Sequence, residues 1–285
     1  EGLAKYYQSI NIDVTPSEIN ITTGGSEALQ IALAVTCNPD DEVIVMEPFY
    51  TNYNALSLQN DVKLVPVSTS IETGFALPDV SEFEKYITPR TKGIILCNPG
   101  NPTGSLYTKE TIIKLGEIVK KHQLFLYSDE VYREFCYTDE PHFSAMHLEG
   151  LEQNVILLDS VSKRYSLCGV RIGCIVSKNK EVMNGVLKFA QARLCSPAYG
   201  QIAAEGALAT PPEYFKAVRD EYMKRRDVLI EALNKMEGVF CPKPMGAFYA
   251  VAKLPVDDSA KFAQWLLEEF EYNKQTVMVA PAAGF

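Results

Sequence analysis

Residues Leu157–Cys174 read LLDSVSKRYSLCGVRIGC, an apolar run that ends in serines and a lysine before a second apolar run begins. Unbroken apolarity over Val155–Leu158 is the mark of a strand buried on both faces. Similar runs recur on either side, and strands are expected at Glu42–Met46, Lys63–Pro66, Gly93–Cys97, Leu124–Tyr127, Val155–Leu158 and Ile172–Val176. Helical patterns fall between them, at Ser26–Val35, Tyr53–Gln59, Val80–Tyr86, Lys109–His122 and Lys180–Gln191. Short β-rich runs separated by helices predict an α/β fold with a mostly parallel sheet covered on both faces.

From about Ala198 the texture changes. Helical patterns at Gln201–Leu208 and Tyr214–Met236 precede a strand-like Gly246–Leu254, a helix at Ser259–Tyr272 and a terminal strand within VMVAPAAGF. That α+β order places a domain boundary near residue 200: residues 1–200 form the large domain, and 201–285 an interdomain helix with part of a smaller one. Both ends look cut, because residue 1 is not Met and Glu1–Tyr7 reads as the middle of an amphipathic helix.

The 285 residues are 47% hydrophobic and 22% charged, ordinary for a globular chain. A net charge of −9 and the absence of Lys or Arg runs leave no footprint for nucleic acid or an anionic membrane. Any anionic ligand must therefore be caught by local groups. Seven scattered cysteines without a CxxC pair suit reduced thiols and a cytoplasmic location. Three histidines, none clustered with Cys at ligand spacing, speak against a metal site. No stretch reaches the roughly 20 apolar residues of a membrane span, and no signal peptide is evident.

Open parallel sheets bind ligands at the carboxyl ends of their strands, so polar residues just after strands carry the interest. TTGGSEAL (Thr22–Leu29) puts glycines and Ser26 at a helix start, where free amides can hold phosphate or simply cap the helix. CNPGNPTG (Cys97–Gly104) is a rigid turn that can fix the Asn101 amide, or serve stability alone. In LFLYSDEVYREF a strand ends in Asp129, Glu130 and Tyr132, and a carboxylate there can meet a protonated ring nitrogen or cap a helix. Ser160, Ser162, Lys163 and Arg171 share one loop, which is either an anion pocket or a solvated surface. A lysine at an apolar strand end sheds hydration, which favours the neutral, nucleophilic amine. Together the motifs supply phosphate donors, a ring-nitrogen partner, a carbonyl-oxygen partner and a reactive amine, the parts a pyridoxal phosphate site requires.

TTGGSEAL, CNPGNPTG, SDEVY and SVSKRYSLCGVRIG, in that order, resemble the class I/II aminotransferases of the aspartate aminotransferase fold, and EPFYTNY and PMGAFYAV resemble further landmarks of that family. The resemblance covers essentially the whole chain. It implies a mostly parallel seven-stranded-type sheet between helices, an incomplete smaller α+β domain, the cofactor pyridoxal 5'-phosphate (PLP) and a homodimer with the site at the subunit interface.

Carried over by position, the family pattern makes Lys163 the Schiff-base lysine that then moves the proton at the substrate Cα. Asp129 keeps the ring nitrogen protonated, Tyr132 and Asn101 hydrogen-bond the phenolic oxygen, and Tyr50 stacks on the ring. The phosphate falls to the backbone amides of Ser26 and Glu27, the hydroxyls of Ser160 and Ser162, and Arg171. The Glu27 side chain should turn away, because a carboxylate beside phosphate is unfavourable. Arg193 has two readings, a contact to a distal substrate carboxylate or partner subunit, and a structural ion pair.

The resemblance also implies two elements outside the chain, a substrate-carboxylate arginine beyond Phe285 and a closing segment before Glu1. Without them, PLP binding should be poor or turnover slow. The expected reaction is ping-pong amino transfer between an amino acid, aspartate or a broad dicarboxylic or aromatic range, and a 2-oxo acid. A C–S β-lyase of the same fold is the alternative enzyme, and a ligand-sensing domain of a regulator the alternative class. A degenerate homologue is disfavoured by the presence of Asp129, Tyr132, Lys163 and Arg171.

Overall fold

The computed structural model describes residues 1–283 and 285. Its strands are β1 (Ile19–Thr22), β2 (Glu42–Glu47), β3 (Lys63–Ser68), β4 (Thr91–Cys97), β5 (Phe125–Asp129), β6 (Val155–Ser160) and β7 (Gly173–Val176). The helices are α1 (Gly2–Ser9), α2 (Gly24–Thr36), α3 (Asn52–Leu58), α4 (Val80–Glu84), α5 (Lys109–His122), α6 (Val161–Arg164), α7 (Lys180–Arg193), α8 (Ala198–Ala207), α9 (Pro212–Asn234) and α10 (Ser259–Glu268). The seven strands form one sheet in the order β1-β7-β6-β5-β4-β2-β3. Strands β3, β2, β4, β5 and β6 run parallel, whereas β7 is antiparallel to both β6 and β1.

Successive strand residues point to opposite faces, and both faces are apolar. Val43, Val45, Ile95, Tyr127, Ile156 and Leu158 pack against α2, α3 and α7. Ile44, Met46, Ile94, Leu96 and Leu126 pack against α5 and Phe83 of α4. Burial on both faces explains the near-continuous apolar runs. Helix α5 begins at Thr108, whose hydroxyl accepts from the Thr111 amide, and ends in Lys120, Lys121 and His122 before left-handed Gln123. Those cap and charge signals give it the bounds expected from the sequence.

Three expectations change. Strand β1 was not anticipated, because INIT is short and half polar; it exists by pairing with β7. Gly246–Leu254 bends at Ala247, whose φ is +54°, and makes only isolated bridges, Cys136 to Gly246 and Phe240 to Lys253, with no neighbouring strand alongside it among the described residues. The run at the chain end also stays unpaired among the described residues, with Val277 and Met278 exposed. A strand needs a ladder partner for its amides and carbonyls, and apolar composition alone did not supply one.

The antiparallel β7 matters for position. Its connection to β6, residues 161–172, leaves and returns at one end of the sheet, so everything in it lies at the carboxyl end of β6. Among the described residues no helix is long and apolar enough to cross a membrane, and no group of His, Cys, Asp or Glu is placed to hold a metal.

Candidate active site

A cavity of about 240 Å³ opens at the carboxyl ends of β4, β5 and β6, where an open parallel sheet gathers ligands. Its wall includes Ser26, Tyr50, Asn101, Asp129, Tyr132, Ser160, Ser162, Lys163 and Arg171. Nine of the ten expected residues thus converge from five separate chain segments. Glu27 does not reach the wall, where Gly25 takes its place beside Ser26. With Thr23 capping α2, helix geometry commits the Glu27 amide to the first turn and leaves those of Gly24, Gly25 and Ser26 free.

Lys163 sits on α6, with its Nζ 5.9 Å from the centroid of the Tyr132 ring and 6.0 Å from that of Phe248. Asp129 ends β5 and faces the cavity. Burial pushes its carboxyl up from 3.8 to about 6, against the Tyr53 hydroxyl and the Val131 amide, which favour the anion. The Tyr53 hydroxyl donates to Asp129 Oδ2 at 2.7 Å, while among the described residues Oδ1 has only the Val131 amide, at 3.4 Å. A carboxylate so placed fits a protonated ring nitrogen, whose charge would offset the cost of burial.

Tyr132 is buried beside it, and its hydroxyl oxygen accepts from Asn101 Nδ2 at 3.4 Å and meets the Tyr249 hydroxyl at 2.8 Å. Burial raises the Tyr132 phenol above its ordinary range, so it holds its proton at neutral pH. Tyr50 lies edge-on to Tyr53, with ring centroids 5.6 Å apart, and walls the cavity.

The other end of the cavity is built for an anion. Ser160 and Ser162 are joined Oγ to Oγ at 2.7 Å. Arg171 lies across the α2 N-terminus, where a Cβ at Gly24 would come within 2.4 Å of Nη2. Gly24 also has a φ of +82°, a left-handed conformation that favours glycine, and a Cβ there would push the Arg171 guanidinium aside. Hydroxyls, a guanidinium and free helix amides together fit a phosphate. The Glu27 carboxylate turns away, accepting from the Thr23 amide at 2.6 Å and from Arg193 Nε at 3.0 Å. Arg193 also donates to the Ile21 and Leu194 carbonyls, which makes it a structural ion-pair member.

Beneath Lys163 lies a buried ionic cluster. Arg164 Nη2 and the Tyr7 hydroxyl both donate to Asp159 Oδ2, at 2.7 Å and 2.8 Å, and Arg133 pairs with Glu130 at 2.7 Å. The cluster ties α1 to the segment that carries the lysine. Sequence reading missed this cluster, Tyr53 and Tyr249. Tyr53 stood three residues after Tyr50 at a helix start, a spacing that shares a face. Tyr249 lay in PMGAFYAV, noted as a landmark but given no role.

The chain is similar to known proteins along most of its length. The model of the family described as aminotransferase class I and II matches residues 1–279. An aspartate/prephenate aminotransferase of Cereibacter sphaeroides is 33% identical over 281 residues, 93% of this chain and 70% of that protein. The solved structure of a Thermus thermophilus aspartate aminotransferase with maleate has a TM-score of 0.90 at 29% identity, covering 100% of this chain and 73% of that one. That of an aromatic aminotransferase from Pyrococcus horikoshii has a TM-score of 0.87 at 30% identity, over 94% and 73%.

Proposed function

The chain belongs to the class I and II aminotransferase family, and on that premise we propose that it uses PLP, held by Lys163, to move an amino group between an amino acid and a 2-oxo acid in ping-pong fashion. The observation that carries this reading is the convergence of Lys163, Asp129, Tyr132, Asn101 and the Arg171–α2 anion end on one cavity. When bound, PLP supplies an electron-accepting ring that accommodates the negative charge left when a substrate Cα loses its proton.

The residues then divide the work. Asp129 holds a proton at the ring nitrogen, and Tyr132 with Asn101 stabilises negative charge on the phenolic oxygen. Tyr50 covers one ring face. The free amides at the start of α2, the Ser160 and Ser162 hydroxyls and Arg171 hold the phosphate, which fixes the ring against translation. Lys163 is the amine that carries the proton to and from the substrate Cα. Aspartate or an aromatic amino acid is the substrate range suggested by the similarity to aminotransferases of those types. A homodimer is the assembly this reading carries.

The test is the visible spectrum of the protein mixed with PLP. A visible band that disappears in Lys163→Ala is expected, and a band unchanged by the substitution would overturn the assignment. Amino transfer from aspartate or an aromatic amino acid to 2-oxoglutarate is the expected turnover. Release of pyruvate and ammonia instead would identify a β-lyase.

A further inference from the structure

The Tyr132 hydroxyl has more neighbours than a proton to give them. A phenol carries one O–H, and its oxygen can accept as well. Asn101 Nδ2 can only donate, so Tyr132 accepts at that contact, 3.4 Å long. The remaining partner is the Tyr249 hydroxyl at 2.8 Å, and either oxygen can be the donor there. If Tyr132 donates to Tyr249, it has no proton left for a ligand. If Tyr249 donates, the Tyr132 proton is free to point into the cavity that both residues line.

We infer that Tyr249 is a positioning residue whose hydroxyl donates to Tyr132 and thereby aims the Tyr132 proton at an anionic oxygen of the bound ligand. Two donors into one phenol oxygen polarise its own O–H, so the pair Asn101 and Tyr249 strengthens the bond Tyr132 makes. No other hydrogen bond of the Tyr249 hydroxyl occurs among the described residues, and it can turn to serve this one.

The placement of Tyr249 is built rather than incidental. The Met245 and Gly246 amides both donate to the Gly104 carbonyl, and the Ala247 amide donates to the Phe135 carbonyl at 2.9 Å. A Cβ on Gly246 would lie 2.6 Å from Pro99 Cβ, so only glycine allows this close passage. The segment is clamped between the loop that holds Asn101 and the loop that follows Tyr132. Phe248 then packs edge-on against Tyr132 at 5.1 Å, which fixes the next residue beside the phenol. The C-terminal part of the chain thus contributes a hydroxyl to a site otherwise built from the sheet.

The inference rests on the proposed role of Tyr132 toward the phenolic oxygen of PLP. Donors at that oxygen matter most after the neighbouring nitrogen has lost its proton, because the anion then has no adjacent cation. Losing one donor therefore raises the pH at which the visible band of the Lys163-linked cofactor changes. The experiment titrates that band against pH in the PLP-loaded protein, in Tyr249→Phe, in Tyr132→Phe and in the double variant. Phenylalanine keeps the ring contacts of Tyr249 with Tyr132 and Phe248. We expect Tyr249→Phe to raise the midpoint by about 0.5–1 unit, the value of one hydrogen bond, and to add nothing in the Tyr132→Phe background. An unchanged midpoint, or the same rise in both backgrounds, overturns the inference while leaving the cofactor assignment intact. A parent protein with no visible band overturns that assignment and this inference with it.

Discussion

Tyr53 and Asp129 share a hydrogen bond of 2.7 Å, and each sets the proton affinity of the other. Burial raises the Asp129 carboxyl from 3.8 to about 6 even with the Tyr53 hydroxyl opposing the rise. Removing that donor by Tyr53→Phe is expected to lift it by about a further unit, read from the carboxyl carbon shift in an NMR titration. The consequence for stability has a definite sign. Between its ordinary 3.8 and about 6 the unfolded chain loses this proton while the folded protein keeps it, so stability falls across that window. Above the window the full penalty remains. Asp129→Asn in the ligand-free protein should therefore gain about 2–3 kcal/mol at pH 8 and almost nothing at pH 3.5, measured by urea unfolding. The same substitution should abolish amino transfer, because a neutral amide cannot hold a ring-nitrogen proton. On the proposed role of Asp129, the stability given up at this carboxylate would be recovered when a cationic partner binds.

At the scale of elements, the anion end depends on the interlock of α2 with the β6–β7 connection. Gly24→Ala places a Cβ 2.4 Å from Arg171 Nη2 at a φ of +82°. We expect it to cost about 1–3 kcal/mol of stability and to weaken PLP binding at least about tenfold by fluorescence titration. Gly206→Ala, within α8 and with a Cβ that would meet open space, is the control: it should leave PLP binding unchanged and raise stability by about 0.5–1 kcal/mol, as alanine does in a helix. The elements also show what a sequence can disclose. Buried parallel strands announce themselves through apolar runs, and α5 through its caps, because both signals are local. Strand β1 and the unpaired Gly246–Leu254 were misread because pairing is decided by a distant neighbour. For the same reason the wall residues were legible from motifs at strand ends, whereas Tyr53 and Tyr249 act by reaching another segment's side chain. Glu27, expected to offer its amide, stands one position off the cavity wall, which Gly25 and Ser26 line.

Across the whole molecule, the buried ionic cluster joins chain start, sheet and lysine-bearing helix. Burial opposes ionisation of Asp159 and Glu130, yet Arg164 and Arg133 hold Asp159, and Arg133 and His142 hold Glu130, below the usual carboxylate range. Their stabilisation is present above that range and is lost as pH falls through it. Asp159→Ala leaves Arg164 and Arg133 buried without their shared carboxylate, and should cost about 3–5 kcal/mol by denaturant melts. One further consequence follows from the antiparallel β7. Residues 161–172 close a short loop, so Lys163 and Arg171 come together at small entropic cost. The α2 N-terminus must instead arrive from far along the chain, through the pairing of β1 with β7. The order of assembly is then hairpin first and β1 last. Pulse-labelled hydrogen exchange should protect the Cys174 and Val176 amides, which face β6, before those of Asn20 and Thr22, which face β7 from β1, and the reverse order would refute this. A phosphate held by both segments would bridge the earliest and the latest parts of the fold to form, so such a ligand would act as a latch on the final folding step.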